Sequence, residues 1–152
     1  YQAFLWRVPT PPKGVVEASI DRHKTNRLKM GVRRDGRVAR THYKVVQTYH
    51  GVIAFVECKL ETGRTHQIRV HMDHIKHPLI GDPLYGLPLQ EGKSLLNRSG
   101  LSDHNCDDIL DFPRQALHAQ SLSFIHPISG QEMCFTAPMP DDMRRLKNHL
   151  ES

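Results

Sequence analysis

The sequence predicts an α+β fold, in which a mixed, mainly antiparallel sheet carries two flanking helices. Three observations lead to this class. A hairpin of β-branched and aromatic residues runs from His42 to Leu60 around a His50-Gly51 turn, a helical period follows from Thr65, and an amphipathic pattern spans Pro140 to Leu150. The 152 residues are enough for one domain with a substantial core.

Most strands are predicted from apolar or alternating residues. Residues 1–8 are apolar and aromatic, which indicates a buried strand that ends in the Pro-rich turn at 9–14. Residues 52–60 alternate on both faces, so this strand is expected to be largely covered at its start. Trp6 and Phe55 are expected in the core rather than as base-stacking platforms. Further short strands are predicted at 15–20, 28–32, 115–126 and 131–136.

The first helix is predicted from a change of period after Thr62-Gly63. Ile68, Met72 and Ile75 fall at i, i+4 and i+7, which places them on one helical face. Thr65 is the predicted N-cap, and Pro78 is expected to stop the helix.

The residues from 87 to 113 are polar and are predicted to form a long loop, with a short helix near 107–112. The final helix then follows. Its inward face is predicted to carry Met143, Leu146 and Leu150.

Charge is concentrated in one segment. The net charge is +5 and the pI is about 9.3, yet residues 21–40 alone carry +6 and the rest of the chain sums to −1. A local basic stripe indicates a polyanionic partner, while a solvated surface loop is an equally open interpretation. The eight basic residues are Arg22, Lys24, Arg27, Lys29, Arg33, Arg34, Arg37 and Arg40.

Composition bears on the compartment. The sequence has no apolar stretch long enough to cross a bilayer, so no membrane partner is expected. Its three cysteines are widely spaced without a C-x-x-C pattern, which is typical of reduced thiols. We therefore expect a cytoplasmic protein.

The most informative string is Leu60-Glu61-Thr62-Gly63-Arg64-Thr65-His66-Gln67-Ile68-Arg69-Val70-His71. Two arginines, two histidines and a glutamine lie within eight of its residues. Planar donors of this kind suit the binding of a phosphate or a carboxylate, and the predicted helix N-terminus also favours an anion.

This string resembles the third signature motif of the RluA-type pseudouridine synthases, which isomerise uridine in RNA. The resemblance extends to other segments and is greatest to the synthase D type, which acts on a stem-loop of large-subunit ribosomal RNA. The further segments are Tyr1-Gln2-Ala3, Thr41-His42-Tyr43, Gly81-Asp82-Pro83-Leu84-Tyr85-Gly86, Arg114 to Ala119, His126 to Gly130 and Ala137 to Pro140.

The resemblance implies roles for particular residues. Tyr1 would stack on the flipped base and assist loss of the C5 proton, and Arg69 would pair with a nucleophilic aspartate. Residues that would bind RNA or order the active-site loop are Arg64, His66, Gln67, His71, Arg22, Lys24 and Arg27. No metal or organic cofactor is implied, and the complete protein is expected to be a monomer.

One part of the family pattern is missing. The His-Arg-Leu-Asp motif that carries the family's nucleophile does not occur in these 152 residues. We therefore expect residues 1–152 to be the C-terminal part of one catalytic domain and to be inactive alone. The alternative is a non-catalytic RNA-binding remnant of such an enzyme.

Three residue-level alternatives remain open. Arg69 could instead form a helical ion pair with Asp73 at i+4. Tyr1 could be a frayed terminal aromatic. The histidines at 66, 71, 74 and 77 could form a metal site, although no cysteine lies near and no H-E-x-x-H pattern is present.

Overall fold

The computed structural model describes residues 1–152. It confirms the α+β class. The strands are β1 (Gln2–Trp6), β2 (Lys13–Glu17), β3 (Ile20–Arg22), β4 (Met30–Val32), β5 (Arg40–Tyr49), β6 (Ile53–Leu60), β7 (Leu117–His118), β8 (Ser121–Ile125) and β9 (Glu132–Thr136), and the helices are α1 (Gln67–His74), α2 (Leu89–Asn97), α3 (Asp103–Leu110) and α4 (Asp141–Glu151).

The main sheet has five strands in the order β2-β5-β6-β1-β7. All strand pairings are antiparallel, so the parallel component of the predicted mixed sheet is not found. Two small ribbons, β3-β4 and β8-β9, stand apart from this sheet. The predicted hairpin is confirmed as β5-β6, with a bulge between Val45 and Gln47.

Both faces of the main sheet are covered because the side chains of β1 alternate. Phe4 and Trp6 point into the larger apolar cluster, whereas Ala3 and Leu5 point into the cluster on the opposite face. Helices α2, α3 and α4 supply the larger cluster and α1 the other. The helical residues involved are Leu95, Leu96, Ile109, Met143, Leu146 and Leu150 on the first face, and Ile68 and Met72 on the second.

Two predicted helices are confirmed, a third has different bounds from those predicted, and one was missed. The inward faces of α1 and α4 are those predicted. In residues 87–113, predicted to be a long loop with a short helix near 107–112, α3 spans Asp103–Leu110 and α2 was not predicted. The loop prediction was wrong because apolar residues in this polar stretch are spaced to meet the sheet at Leu95, Leu96 and Ile109. Ser102 also caps α3 by accepting a hydrogen bond from the Asn105 N–H at 3.2 Å.

Other boundaries also differ from prediction. The N-cap of α1 is His66 rather than Thr65, and His66 has a left-handed backbone with φ of 56°. The predicted strand over 115–126 divides into β7, which joins the main sheet, and β8, which pairs only with β9. Trp6 and Phe55 are buried in the core, as predicted. None of the helices combines the length and apolarity that a bilayer-spanning segment needs.

Candidate active site and nucleic-acid interface

Tyr1 and Arg69 line the same cavity, which has a volume of about 250 Å³. Tyr1 immediately precedes β1 of the main sheet, and Arg69 lies on α1, which packs against one face of that sheet. The fold therefore brings together two residues that are far apart in sequence. The rest of the lining is partly polar and partly apolar: Leu60, Arg64, His66, Gln67, Ile68, Gln115 and Leu117.

Tyr1 is held in place by its backbone. Its amino group donates to the Cys58 carbonyl at 2.9 Å, and the Cys58 N–H donates to the Tyr1 carbonyl at 2.8 Å. The residue is nevertheless 40% exposed, at the mouth of the cavity. The alternative of a frayed terminus is therefore wrong, since Tyr1 extends the pairing of β1 with β6.

Arg69 forms a buried two-point ion pair with Asp82 rather than a helical pair with Asp73. Its Nε donates to Oδ2 at 2.7 Å, and its Nη2 donates to Oδ1 at 2.8 Å. The two side chains are 10% and 0% exposed. The Nη1 nitrogen makes no hydrogen bond within the chain, and Arg69 lines the cavity.

Asp82 belongs to a tight turn that fixes its carboxylate. Its Oδ1 also accepts the N–H groups of Leu84 at 2.9 Å and Tyr85 at 3.0 Å. Burial alone would raise the pKa of Asp82, but the hydrogen bonds from Arg69, Tyr85 and Leu84 outweigh burial and lower it below its usual value. Gly81 precedes it with φ of +75°, where a side chain would also collide with the Arg114 carbonyl.

Gln67 orders the turn before α1 instead of facing solvent. It is 3% exposed, and its Oε1 accepts the Thr62 hydroxyl at 2.7 Å and the Arg64 N–H at 3.0 Å. Its Nε2 donates to the Arg40 carbonyl at 2.9 Å and to Thr41 Oγ1 at 3.0 Å. All four hydrogen-bonding sites of the amide are therefore used to join the turn to β5.

His71 continues this buried network. It is completely buried, and its Nε2 lies 2.8 Å from the Ala18 carbonyl, which requires Nε2 to be the donor. Its Nδ1 then accepts the Thr41 hydroxyl at 2.7 Å. Burial lowers the pKa of His71, against the opposing effect of the Ala18 carbonyl, so the neutral ring is favoured. Of the two roles predicted for Gln67 and His71, their burial fits the ordering of the loop.

His66 is linked to Tyr85, which in turn contacts the β3-β4 ribbon. The Tyr85 hydroxyl accepts the Met30 N–H at 2.7 Å and lies 2.8 Å from His66 Nδ1. If the hydroxyl donates to Nδ1, the neutral imidazole carries its proton on Nε2. Burial, followed by the nearby Arg69 charge, lowers the pKa of His66. The Tyr85 ring also lies 5.0 Å from the Arg69 guanidinium carbon.

The basic segment at residues 21–40 differs from this network because most of its charges lack an ion-pair partner. Only Arg33, with Asp35, and Arg40, with Glu17 and Glu61, form ion pairs. The six others are Arg22, Lys24, Arg27, Lys29, Arg34 and Arg37. Among the residues predicted to bind RNA, Arg22, Lys24 and Arg27 are all exposed.

The four histidines considered as metal ligands do not converge. His66 contacts Tyr85, His71 contacts Thr41 and Ala18, and His77 Nδ1 lies 3.2 Å from the Trp6 carbonyl. No group of three or more histidine, cysteine or carboxylate side chains in the chain is arranged to hold a metal ion.

Sequence reasoning did not identify two residues that organise the site. Thr41 joins Gln67 to His71, and Tyr85 joins Met30 to His66. A signal for Thr41 was present, because it has the same strand phase as the buried Tyr43 and was therefore a polar residue on an inward face. The role of Tyr85 depends on contacts between distant segments and had no local signal.

Comparison with known proteins identifies the class. Residues 1–74 match the family described as RNA pseudouridylate synthase. The fold aligns with human RNA pseudouridylate synthase domain containing 4 at a TM-score of 0.68 and 25% identity, over 99% of this chain and 60% of that one. The chain therefore contains pseudouridine synthase domain sequence.

Its curated relatives are more specific. The chain is similar to ribosomal large subunit pseudouridine synthase D of Xanthomonas campestris pv. campestris. The two sequences are 50% identical over 137 residues, and the alignment includes 90% of this chain. The chain is 47% identical over 133 residues to the protein of the same name from Escherichia coli K12, covering 88% of this chain. In both comparisons the chain spans 39% of the relative's length.

Proposed function

We propose that the protein isomerises uridine to pseudouridine in large-subunit ribosomal RNA, within a stem-loop. The observation that carries this proposal is the placement of Tyr1 and Arg69 on one cavity. The names of the D-type relatives support the choice of substrate. The proposal also implies a cytoplasmic enzyme that acts as a monomer.

Tyr1 is proposed to receive the target base. A uridine must leave its stack before the glycosidic bond can be attacked, which costs a few kcal/mol of stacking and pairing. An aromatic ring at the mouth of the cavity replaces part of this loss, since stacking contributes about 1–3 kcal/mol per base. The backbone pairing of Tyr1 with Cys58 holds the main chain of Tyr1 at the mouth of the cavity before RNA binds.

Arg69 is proposed to bind the nucleophilic carboxylate through its remaining Nη1 group. A neighbouring guanidinium favours the ionised form of a carboxylate and so keeps the nucleophile ready to attack. Asp82 is a positioning residue in this scheme because its two hydrogen bonds fix the plane of the guanidinium. Lysine, with a single flexible ammonium, would lack this orientation.

The nucleophilic aspartate itself is proposed to come from polypeptide outside these 152 residues, which would then form the C-terminal part of the catalytic domain. Isomerisation breaks the C1′–N1 bond, forms a C1′–C5 bond, releases the C5 proton to solvent and adds a proton from solvent to N1. Because residues 1–152 contain no His-Arg-Leu-Asp motif, they should bind RNA without catalysing these steps.

A second candidate function is RNA binding without chemistry. It is favoured by one specific observation, the set of six basic side chains without ion-pair partners on a chain that lacks the family's nucleophile. The two candidate functions make different predictions for a protein expressed from the complete reading frame. An isomerase would form pseudouridine, and an RNA-binding remnant would not.

The test is tritium release from ribosomal RNA labelled at C5 of uridine. We expect release with protein from the complete reading frame and none with residues 1–152 alone. Tyr1→Ala should lower the rate more than Tyr1→Phe, which preserves stacking, and Lys147→Ala at the half-exposed Lys147 of α4, which does not line the cavity, is the control. RNA containing 5-fluorouridine should form a stable adduct only with the complete enzyme. No release from the complete protein would favour the RNA-binding remnant.

A further inference from the structure

A second cavity, of about 360 Å³, lies between the β3-β4 ribbon and the turn before α1. Its charged lining consists of five cations and one carboxylate. The cationic residues are Arg22, Arg27, Lys29, Arg37 and Arg64, and the acid is Asp21. Such an excess of positive charge around one cavity indicates an anionic ligand.

The walls of this cavity are ordered by backbone contacts. Ile20 and Arg37 exchange two backbone hydrogen bonds of 2.9 Å, which fixes the main chain of Arg37 against β3. At Gly36 a side chain would lie 2.7 Å from the Ile20 backbone, so only glycine permits this close approach. The His23 ring accepts two backbone N–H groups, from Thr25 and Asn26, and so orders the turn that carries Arg27.

Three of the cations have unused guanidinium groups. Arg22, Arg27 and Arg37 are exposed, and their side chains make neither a hydrogen bond nor an ion pair within the chain. The other two cations are engaged differently. Arg64 donates from Nε to the Val38 carbonyl at 2.9 Å, and Lys29 lies 5.3 Å from the centre of the Tyr85 ring.

The two cavities share a wall. Arg64 and His66 line both the basic cavity and the cavity that contains Tyr1 and Arg69. Tyr85 strengthens this connection because its hydroxyl contacts Met30 of the basic cavity and His66. A ligand in one cavity is therefore adjacent to a ligand in the other.

We propose that the basic cavity is a phosphodiester subsite, which binds the RNA backbone next to the target uridine while the base enters the cavity of Tyr1. This inference rests on the proposed function and adds a location to it. Arginine forks match phosphate oxygens with two parallel hydrogen bonds, and three unused forks converge here. Lys24 and Arg34 belong to the same segment but do not line the cavity.

The test measures binding of fluorescein-labelled decauridylate to residues 1–152 by anisotropy. Arg22→Ala, Arg27→Ala and Arg37→Ala should each weaken binding about tenfold. Each should also lower the slope of log K against log salt by about 0.7, the value for one lost phosphate contact on a single strand. Arg34→Ala is the matched control, because it removes the same charge from the same segment, and it should change affinity by less than about twofold.

Two results would overturn the subsite. Equal losses in all four variants would mean that the segment attracts RNA only through its overall charge, and the proposed function would stand. Absence of decauridylate binding by the wild-type chain at low salt would remove the subsite altogether. Tritium release by the complete enzyme is measured separately, so failure of the subsite and failure of the proposed function are distinguishable.

Discussion

Two polar regions of this molecule use similar residues in opposite ways. In the signature string at 60–71, Gln67 and His71 are buried and hydrogen-bonded within the fold, and Arg69 is paired with Asp82. In the basic segment at 21–40, six of eight cations have no ion-pair partner. Residue type therefore does not distinguish a structural polar group from a ligand-binding one, whereas the presence of an internal partner does.

The largest effect should come from the buried ion pair. Asp82→Asn removes one charge and leaves the Arg69 guanidinium buried without its counter-charge, which typically costs about 3–5 kcal/mol. Chemical denaturation of the variant should show this loss in the free energy of unfolding. Asp73→Asn is the control, because Asp73 is one turn from Arg69 yet makes no ion pair with it. Equal losses of stability in the two variants would contradict the assignment of Asp82 as the ion-pair partner of Arg69.

A smaller loss is expected at Thr41, which joins Gln67 to His71. Thr41→Val preserves the shape of the side chain and removes the hydroxyl, leaving His71 Nδ1 and one Gln67 hydrogen unsatisfied. The expected cost is about 1–3 kcal/mol in the free energy of unfolding. Thr48→Val on the exposed face of β5 provides the comparison and should change stability by less than about 0.5 kcal/mol.

Two histidines, the buried His71 and the half-buried His77, predict a pH dependence of stability. Burial lowers the pKa values of His71 and His77, so the unfolded chain binds protons near the ordinary pKa of about 6.5 while the folded rings resist protonation. The free energy of unfolding should therefore be highest above pH 7 and fall as pH decreases through 6.5. His71→Gln should remove the part of this pH dependence that comes from His71 and leave the part that comes from His77. A profile unchanged down to pH 5.5 would contradict the neutral buried ring.

Substitutions in the basic segment should lower RNA affinity without lowering the stability of the fold. Arg27→Ala removes a side chain with no partner in the chain, so the free energy of unfolding should change by less than about 0.5 kcal/mol. The same variant is expected to lose RNA affinity. A large loss of stability, detected by denaturation, would mean that Arg27 supports the fold and would erase the contrast with the signature string.

Sequence periodicity predicted the elements whose apolar residues repeat regularly. It identified the β5-β6 hairpin and the inward faces of α1 and α4. It did not predict α2, and it placed a short helix near 107–112 where α3 spans Asp103–Leu110, because polar residues and acids obscure the apolar positions at 87–113. Those helices gain stability from packing Leu95, Leu96 and Ile109 against the sheet, which is a tertiary effect.

The candidate site was predictable in part. The signature string gave its cations and its position at the start of α1, and Tyr1 and Arg69 were both named. The partner of Arg69 was not, because Asp82 reaches it only after the chain turns at Gly81. Local sequence also does not show that Gln67 is buried, where it orders the turn before α1, or that Arg27 is exposed, where it can reach RNA.

The most direct test of the contrast between the two regions is the salt dependence of RNA binding by the wild-type chain. If the unpaired cations bind phosphates, log K for decauridylate should fall linearly with log salt, with a slope of about −2 or steeper for three or more contacts. A slope near zero would contradict the account, because the basic segment would then be a solvated surface that does not bind the RNA backbone.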